Sequence, residues 1–110
     1  MAGELAWGDI RLVELDPPDK MRPALVLTRT SAIPYLNAVT IAPITSTIRG
    51  IPTEIRLGAD SGLKVDSAAN VDCLQTVRKQ RIGRYLGRLG NERRDEVLAA
   101  VCFAFELAGK

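Results

Sequence analysis

The chain reads as mainly β with a C-terminal helix, folded as a small, strongly bent antiparallel sheet or partly open barrel. Three observations predict this. Half a dozen short apolar segments are broken by turn residues, helical spacing is confined to the tail, and no repeat, linker or low-complexity tract interrupts the 110 residues. With 46% hydrophobic residues the chain has material for one modest core and is too short for two, so residues 1–110 are expected to form a single domain.

Asp9 to Leu15 alternates in polarity and is stopped by Asp16-Pro17-Pro18-Asp19, which predicts a first strand. Ala24 to Thr28 is a second strand. Val39 to Ile44 is continuously apolar and is therefore placed at the centre of the sheet, with Thr53 to Leu57 as the fourth strand. Ser67 to Leu74 makes a fifth, and Arg84 to Leu89 a weaker sixth in which Gly83 and Gly87 imply a bend or a close backbone approach. Ser31 to Asn37 holds one short helical turn at Pro34. From Asn91, read as an N-cap, Val97, Leu98, Val101, Cys102, Phe105 and Leu107 recur at helical spacing, with Glu92, Asp95 and Glu96 at the positive dipole end. This helix is expected to cover the convex face of the sheet, leaving the first loops and the open face to a ligand.

Composition then narrows the chemistry. The chain has no histidine, which excludes histidine acid/base pairs and the Ser-His-Asp triad. No Cys/His cluster or close carboxylate set points to a metal, so no cofactor is expected. Cys73 and Cys102 lie in apolar runs without metal spacing and read as buried free thiols of a reducing cytoplasm. No stretch is long and apolar enough to span a membrane, and the start, with Glu4 and Asp9, lacks the pattern of a signal peptide. Arg78, Lys79, Arg81, Arg84, Arg88, Arg93 and Arg94 crowd one third of the chain, either as a solvated face or as a polyanion-binding surface.

The most informative segment is Ala42 to Ile55, where Thr45, Ser46 and Thr47 precede Arg49-Gly50 between two apolar strands. Neutral hydrogen-bond donors beside a cation suit a phosphate, although hydroxyls in a loop also serve ordinary turn chemistry. Arg22 precedes Pro23, which enforces an extended backbone; by itself it reads equally as a surface strand residue. Without histidine, Arg, Lys, Asp, Thr and Ser remain, a set suited to holding phosphate and offsetting its developing charge while an RNA 2'-hydroxyl supplies the nucleophile.

Gly8-Asp9-Ile10, Glu14-Leu15-Asp16-Pro17, Arg22-Pro23-Ala24-Leu25-Val26-Leu27 and the Pro43 to Glu54 segment resemble the MazF/PemK/Kid toxins. Asp66-Ser67, Asn70-Val71-Asp72, Thr76-Val77 and Leu86-Gly87-Arg88-Leu89 continue the likeness in order, from about Trp7 to Leu107. The resemblance implies an SH3-like partly open barrel, the plasmid-maintenance toxin fold, and the toxin of a type II toxin–antitoxin system. It further implies a metal-independent endoribonuclease that cuts single-stranded RNA at short sequences to 2',3'-cyclic phosphate and 5'-hydroxyl ends. The implied unit is a homodimer, blocked by a cognate acidic antitoxin resembling MazE.

Residue by residue, the likeness carries the catalytic arginine to Arg22 and the catalytic threonine to Thr45. It carries an aspartate used as a base in part of the family to Asp72, which equally suits an ion-pair partner for Arg78 or Arg81; Glu54 is expected to brace the barrel. Lys20, Ser46, Thr47, Arg49, Asn70 and Arg78 complete the expected RNA-binding set. Two departures stand out: Asn70 replaces an arginine, and the loop Pro18-Asp19-Lys20-Met21 lacks the family's longer Gly-x-Glu-Gln element. The alternatives are a gyrase poison resembling CcdB, which would need a tryptophan in the terminal helix where this chain has only Trp7, or a catalytically silent nucleic-acid-binding or antitoxin-binding barrel.

Overall fold

A computed structural model describes residues 4–18 and 20–107; Asp19, read as part of the run that stops the first strand, lies outside them. Seven strands form one curled antiparallel half-barrel: β1 (Asp9–Glu14), β2 (Met21–Val26), β3 (Ala38–Thr45), β4 (Glu54–Leu57), β5 (Ser67–Asn70), β6 (Gln75–Arg78) and β7 (Ile82–Arg88). Their order is β4-β5-β3-β2-β1-β7, with β6 also on β3. One helix, α1 (Arg94–Ala104), follows, so the expected class holds.

β2 begins at Met21 rather than Ala24, because a residue before proline is driven into the extended region and Arg22 precedes Pro23. Arg22 thus belongs to a strand, paired with Val13. The expected Ser67 to Leu74 strand is broken: Val71–Cys73 forms a 3-10 turn. The Asn70 side chain accepts the Asp72 N–H at 2.9 Å, a local bond that competes with the ladder, and the distant Thr53 hydroxyl donates to the Asp72 carboxylate at 2.7 Å. Beyond this turn β6 pairs with β3, a strand that escaped the sequence reading because only Val77 is apolar and buried in it. The short turn expected near Pro34 is present as Ile33–Tyr35.

β3 is central, as its apolar run implied, and both of its faces are buried. Ala42 and Ile44 join Leu25, Ile10, Ile55 and Leu89 in one cluster, covered by Val97 and Ala100 of α1. Val39 and Ile41 join Val13, Ala24, Val26 and Val77 in the other. Three corrections follow. Cys73 is exposed and Cys102 half-buried, because the 3-10 turn and the flank of the helix carry them out of the core. α1 starts at Arg94, with Asn91–Arg93 in a 3-10 turn, and no side chain caps either start. Of the helical stripe, Val97 is buried whereas Leu98, Phe105 and Leu107 are exposed. The helix turns its small side toward the sheet. In the short turn near Pro34, Ile33 is buried in the core while Tyr35 and Leu36 are exposed.

The glycine reading is sharper than its source. Gly87 passes directly over Ser61, so an added Cβ would run into the Ser61 carbonyl, and Gly62 faces Leu86 with φ +90°. A Gly87→Ala substitution must therefore separate the Ala59–Ser61 turn from β7. It is expected to cost about 1–3 kcal/mol, read as a lower urea midpoint with unchanged slope.

Candidate active site

The register of β2 against β3 builds the site. Val26 pairs with Ile41, Leu25 with Ala42 and Ala24 with Pro43. Continued by two residues, the same register brings Arg22 level with Thr45, and directly opposed residues of an antiparallel pair share a face. By that register Arg22 and Thr45 belong to one face near the same end of the half-barrel, and both are half-buried. On its other side Thr45 pairs with Ala68 of β5.

Beyond Thr45 the chain leaves the sheet. The Thr45 hydroxyl accepts the Thr47 N–H at 3.1 Å, and Ser46 and Thr47 are exposed. Glu54 then gathers the loop: its carboxylate accepts the N–H of Arg49 at 3.1 Å and of Gly50 at 2.8 Å. Glu54 thus braces the loop rather than the barrel. Burial pushes its carboxyl up, but the N–H groups of Arg49, Gly50 and Ile51 and the charge of Arg49 together outweigh it, so it titrates below the ordinary 4.5.

The other expected residues are spread more widely. Lys20 ends the β1–β2 loop, exposed, with φ +58° and its carbonyl accepting from Leu15 N–H. Asn70 pairs with Glu54 across β4 and β5, and its side chain is engaged by Asp72 N–H. Asp72 itself is exposed, with its carboxylate held by Thr53. Arg78 lies opposite Ala38 at the far end of β3, a contour of ~23 Å from Thr45 at about 3.3 Å per residue. The register sets Arg22 and Thr45 on one face near one end of β3 and leaves Arg78 at the other end.

The basic cluster resolves mostly into fastenings. Lys79 donates to Ile33 O, Arg81 to Glu14 O and Asp16, Arg88 to Trp7 O, and Arg93 to Arg56 O and Glu96. Arg94 lies 3.9 Å over the Trp7 ring. Arg11, passed over in the sequence, is a buried cation on Asp9 at 3.2 Å; its place in an alternating strand gave only the weak signal of a charge facing inward.

Residues 6–105 match the family described as the PemK-like, MazF-like toxin of type II toxin–antitoxin systems. The chain belongs to this family. Endoribonuclease MazF3 of Mycobacterium tuberculosis is 38% identical over 98 residues, covering 89% of this chain and 95% of that protein. The structure of Mycobacterium tuberculosis toxin MazF-mt6 superposes with a TM-score of 0.84 at 38% identity, over 89% of this chain and 96% of that one. A mycobacterial endoribonuclease solved in complex with its cognate antitoxin shares the fold with a TM-score of 0.82 at 23% identity, over 96% of this chain and 99% of that one.

The lowered Glu54 titration has a consequence for the loop. The unfolded carboxyl takes its proton first, so the stabilisation is full above about 4.5 and is lost as the pH falls through the lower folded value. Protection of the Arg49 and Gly50 amides against hydrogen exchange, taken relative to the intrinsic rate at each pH, should be present at neutral pH and lost below that value. Glu54→Gln should show fast exchange already at neutral pH.

Proposed function

We propose that this chain is an endoribonuclease toxin that cuts single-stranded RNA at a short sequence without a metal ion, leaving 2',3'-cyclic phosphate and 5'-hydroxyl ends. This reading is supported by the β2–β3 register, which, continued two residues beyond Ala24 and Pro43, sets Arg22 and Thr45 on one face, in a chain of a toxin family whose relative MazF3 is named an endoribonuclease. The RNA 2'-hydroxyl gives up its proton and attacks the neighbouring phosphorus; the bond from phosphorus to the 5'-oxygen breaks, and that oxygen takes up a proton.

Arg22 offers a planar guanidinium fork to the phosphate oxygens as negative charge builds on them. The Thr45 hydroxyl donates to a nonbridging oxygen, and Ser46, Thr47, Arg49 and Lys20 hold the flanking phosphates. Asp72 is the proposed base, its carboxylate oriented by the Thr53 hydroxyl; Asn70 and Arg78 complete the RNA path. The family description implies an antitoxin, and an acidic segment fits a site built from these cations. The working unit is a homodimer, consistent with the exposed Tyr35 and Leu36 and the outer face of α1. A gyrase poison acting through a tryptophan is disfavoured, since Trp7 is buried beneath Arg94. No helix among the described residues is long and apolar enough to cross a membrane.

The test is cleavage of a mixed-sequence RNA in EDTA with chemical mapping of the ends. Wild-type protein should leave cyclic phosphates at one motif, and Arg22→Ala should lower the rate by about 10²–10³-fold, as losing one donor to a developing oxyanion does. Asp72→Asn keeps an acceptor for Thr53 and should lose rate without losing fold. Intact RNA from folded wild-type protein would defeat the reading.

A further inference from the structure

We infer that a pocket of about 240 Å³ between β6 and the end of β1 receives one unpaired base of the RNA and sets part of the cleavage sequence, with Gln75 as the reading residue. The inference rests on the endoribonuclease reading above. Leu15 and Val77, both buried, belong to the apolar cluster beneath the pocket; Gln75, Thr76 and Arg78 of β6 line one side and Asp16 and Arg81 the other.

Size selects the occupant first. The volume lies below the roughly 300–1,000 Å³ of pockets that take drug-sized ligands, which leaves room for a single planar ring system. Charge selects next. The Asp16 carboxylate, at the exposed rim, opposes a phosphate in the pocket but accepts from a base amino group. Arg81 is held by Glu14 O at 3.3 Å and Asp16 Oδ1 at 3.2 Å, so its guanidinium forms a fixed plane of the kind on which unstacked bases lie.

Gln75 supplies an amide with both donor and acceptor, the pairing chemistry that distinguishes one base edge from another. β6 pairs only with β3 among the described strands, so its outer backbone groups are not used by another strand. Position connects the pocket to the reaction. Glu14, just before Leu15 and Asp16, pairs with Met21, the neighbour of Arg22. Gln75 pairs with Ile41, four residues from Thr45 along β3, or ~13 Å. A nucleotide near the scissile phosphate on the same strand reaches it, while Arg78 takes the adjoining phosphate.

The experiment compares wild-type protein with Gln75→Leu, which keeps the bulk of an exposed side chain and removes its pairing edge. Both are given a randomised RNA for cleavage mapping and an uncleavable 2'-O-methyl pool for selection of bound sequences. The variant should lose base preference at one fixed distance from the cut, with cleavage of the best wild-type sequence about 10- to 100-fold slower and the other positions unchanged. An unchanged motif and rate would overturn the inference while leaving the nuclease reading intact. If wild-type protein leaves RNA whole, the nuclease reading fails, and the bound pool decides: a preference erased by Gln75→Leu keeps the pocket, and none ends it.

Discussion

The pairing of β2 with β3 is the constraint on which the rest depends. Leu25 and Ala42 are opposed within one apolar cluster, and Val26 and Ile41 within the other, all fully buried. Because side chains alternate, slipping this register by one residue would exchange the two clusters and leave Arg22 facing away from Thr45. Burial on both faces therefore fixes the geometry of the polar pair, with no hydrogen bond between the two side chains required. Function here is inherited from core packing.

The charges follow a similar division. Lys79, Arg81, Arg88, Arg93 and Arg94 hold carbonyls, carboxylates or the Trp7 ring, tying the last third of the chain to Trp7, the end of β1, the Ile33 turn and β4. Such cations act through geometry as much as through charge, and their contribution to a polyanion field is correspondingly reduced. Lys20, Arg22 and Arg49 sit in the loops and on the strand end at one end of the half-barrel, while Arg78 and Arg81 line the pocket beside β6.

Much of this was legible in the chain. The apolar run of Val39 to Ile44 revealed the central strand, the pre-proline position made Arg22 extended, and Gly87 marked the close approach to Ser61. What escaped was decided by partners far away in sequence. β6 has almost no apolar pattern of its own and forms because β3 offers an edge. The 3-10 turn at Val71–Cys73 depends on Thr53, nineteen residues away, and Cys73 is exposed for that reason. The roles of Glu54 and Gln75 needed the loop and the pocket to be assembled first.

The central claim is that Arg22 and Thr45 act on one phosphate as a unit, and a double-mutant cycle on RNA cleavage tests it most directly. Arg22→Ala, Thr45→Ala and the double variant are compared by initial rates on one defined RNA, after each is shown to be folded. If the two groups share a transition state, the double variant should be slower than the worse single variant by no more than about threefold, as groups acting together are strongly non-additive. Losses that multiply would contradict the account and separate the two residues into independent roles.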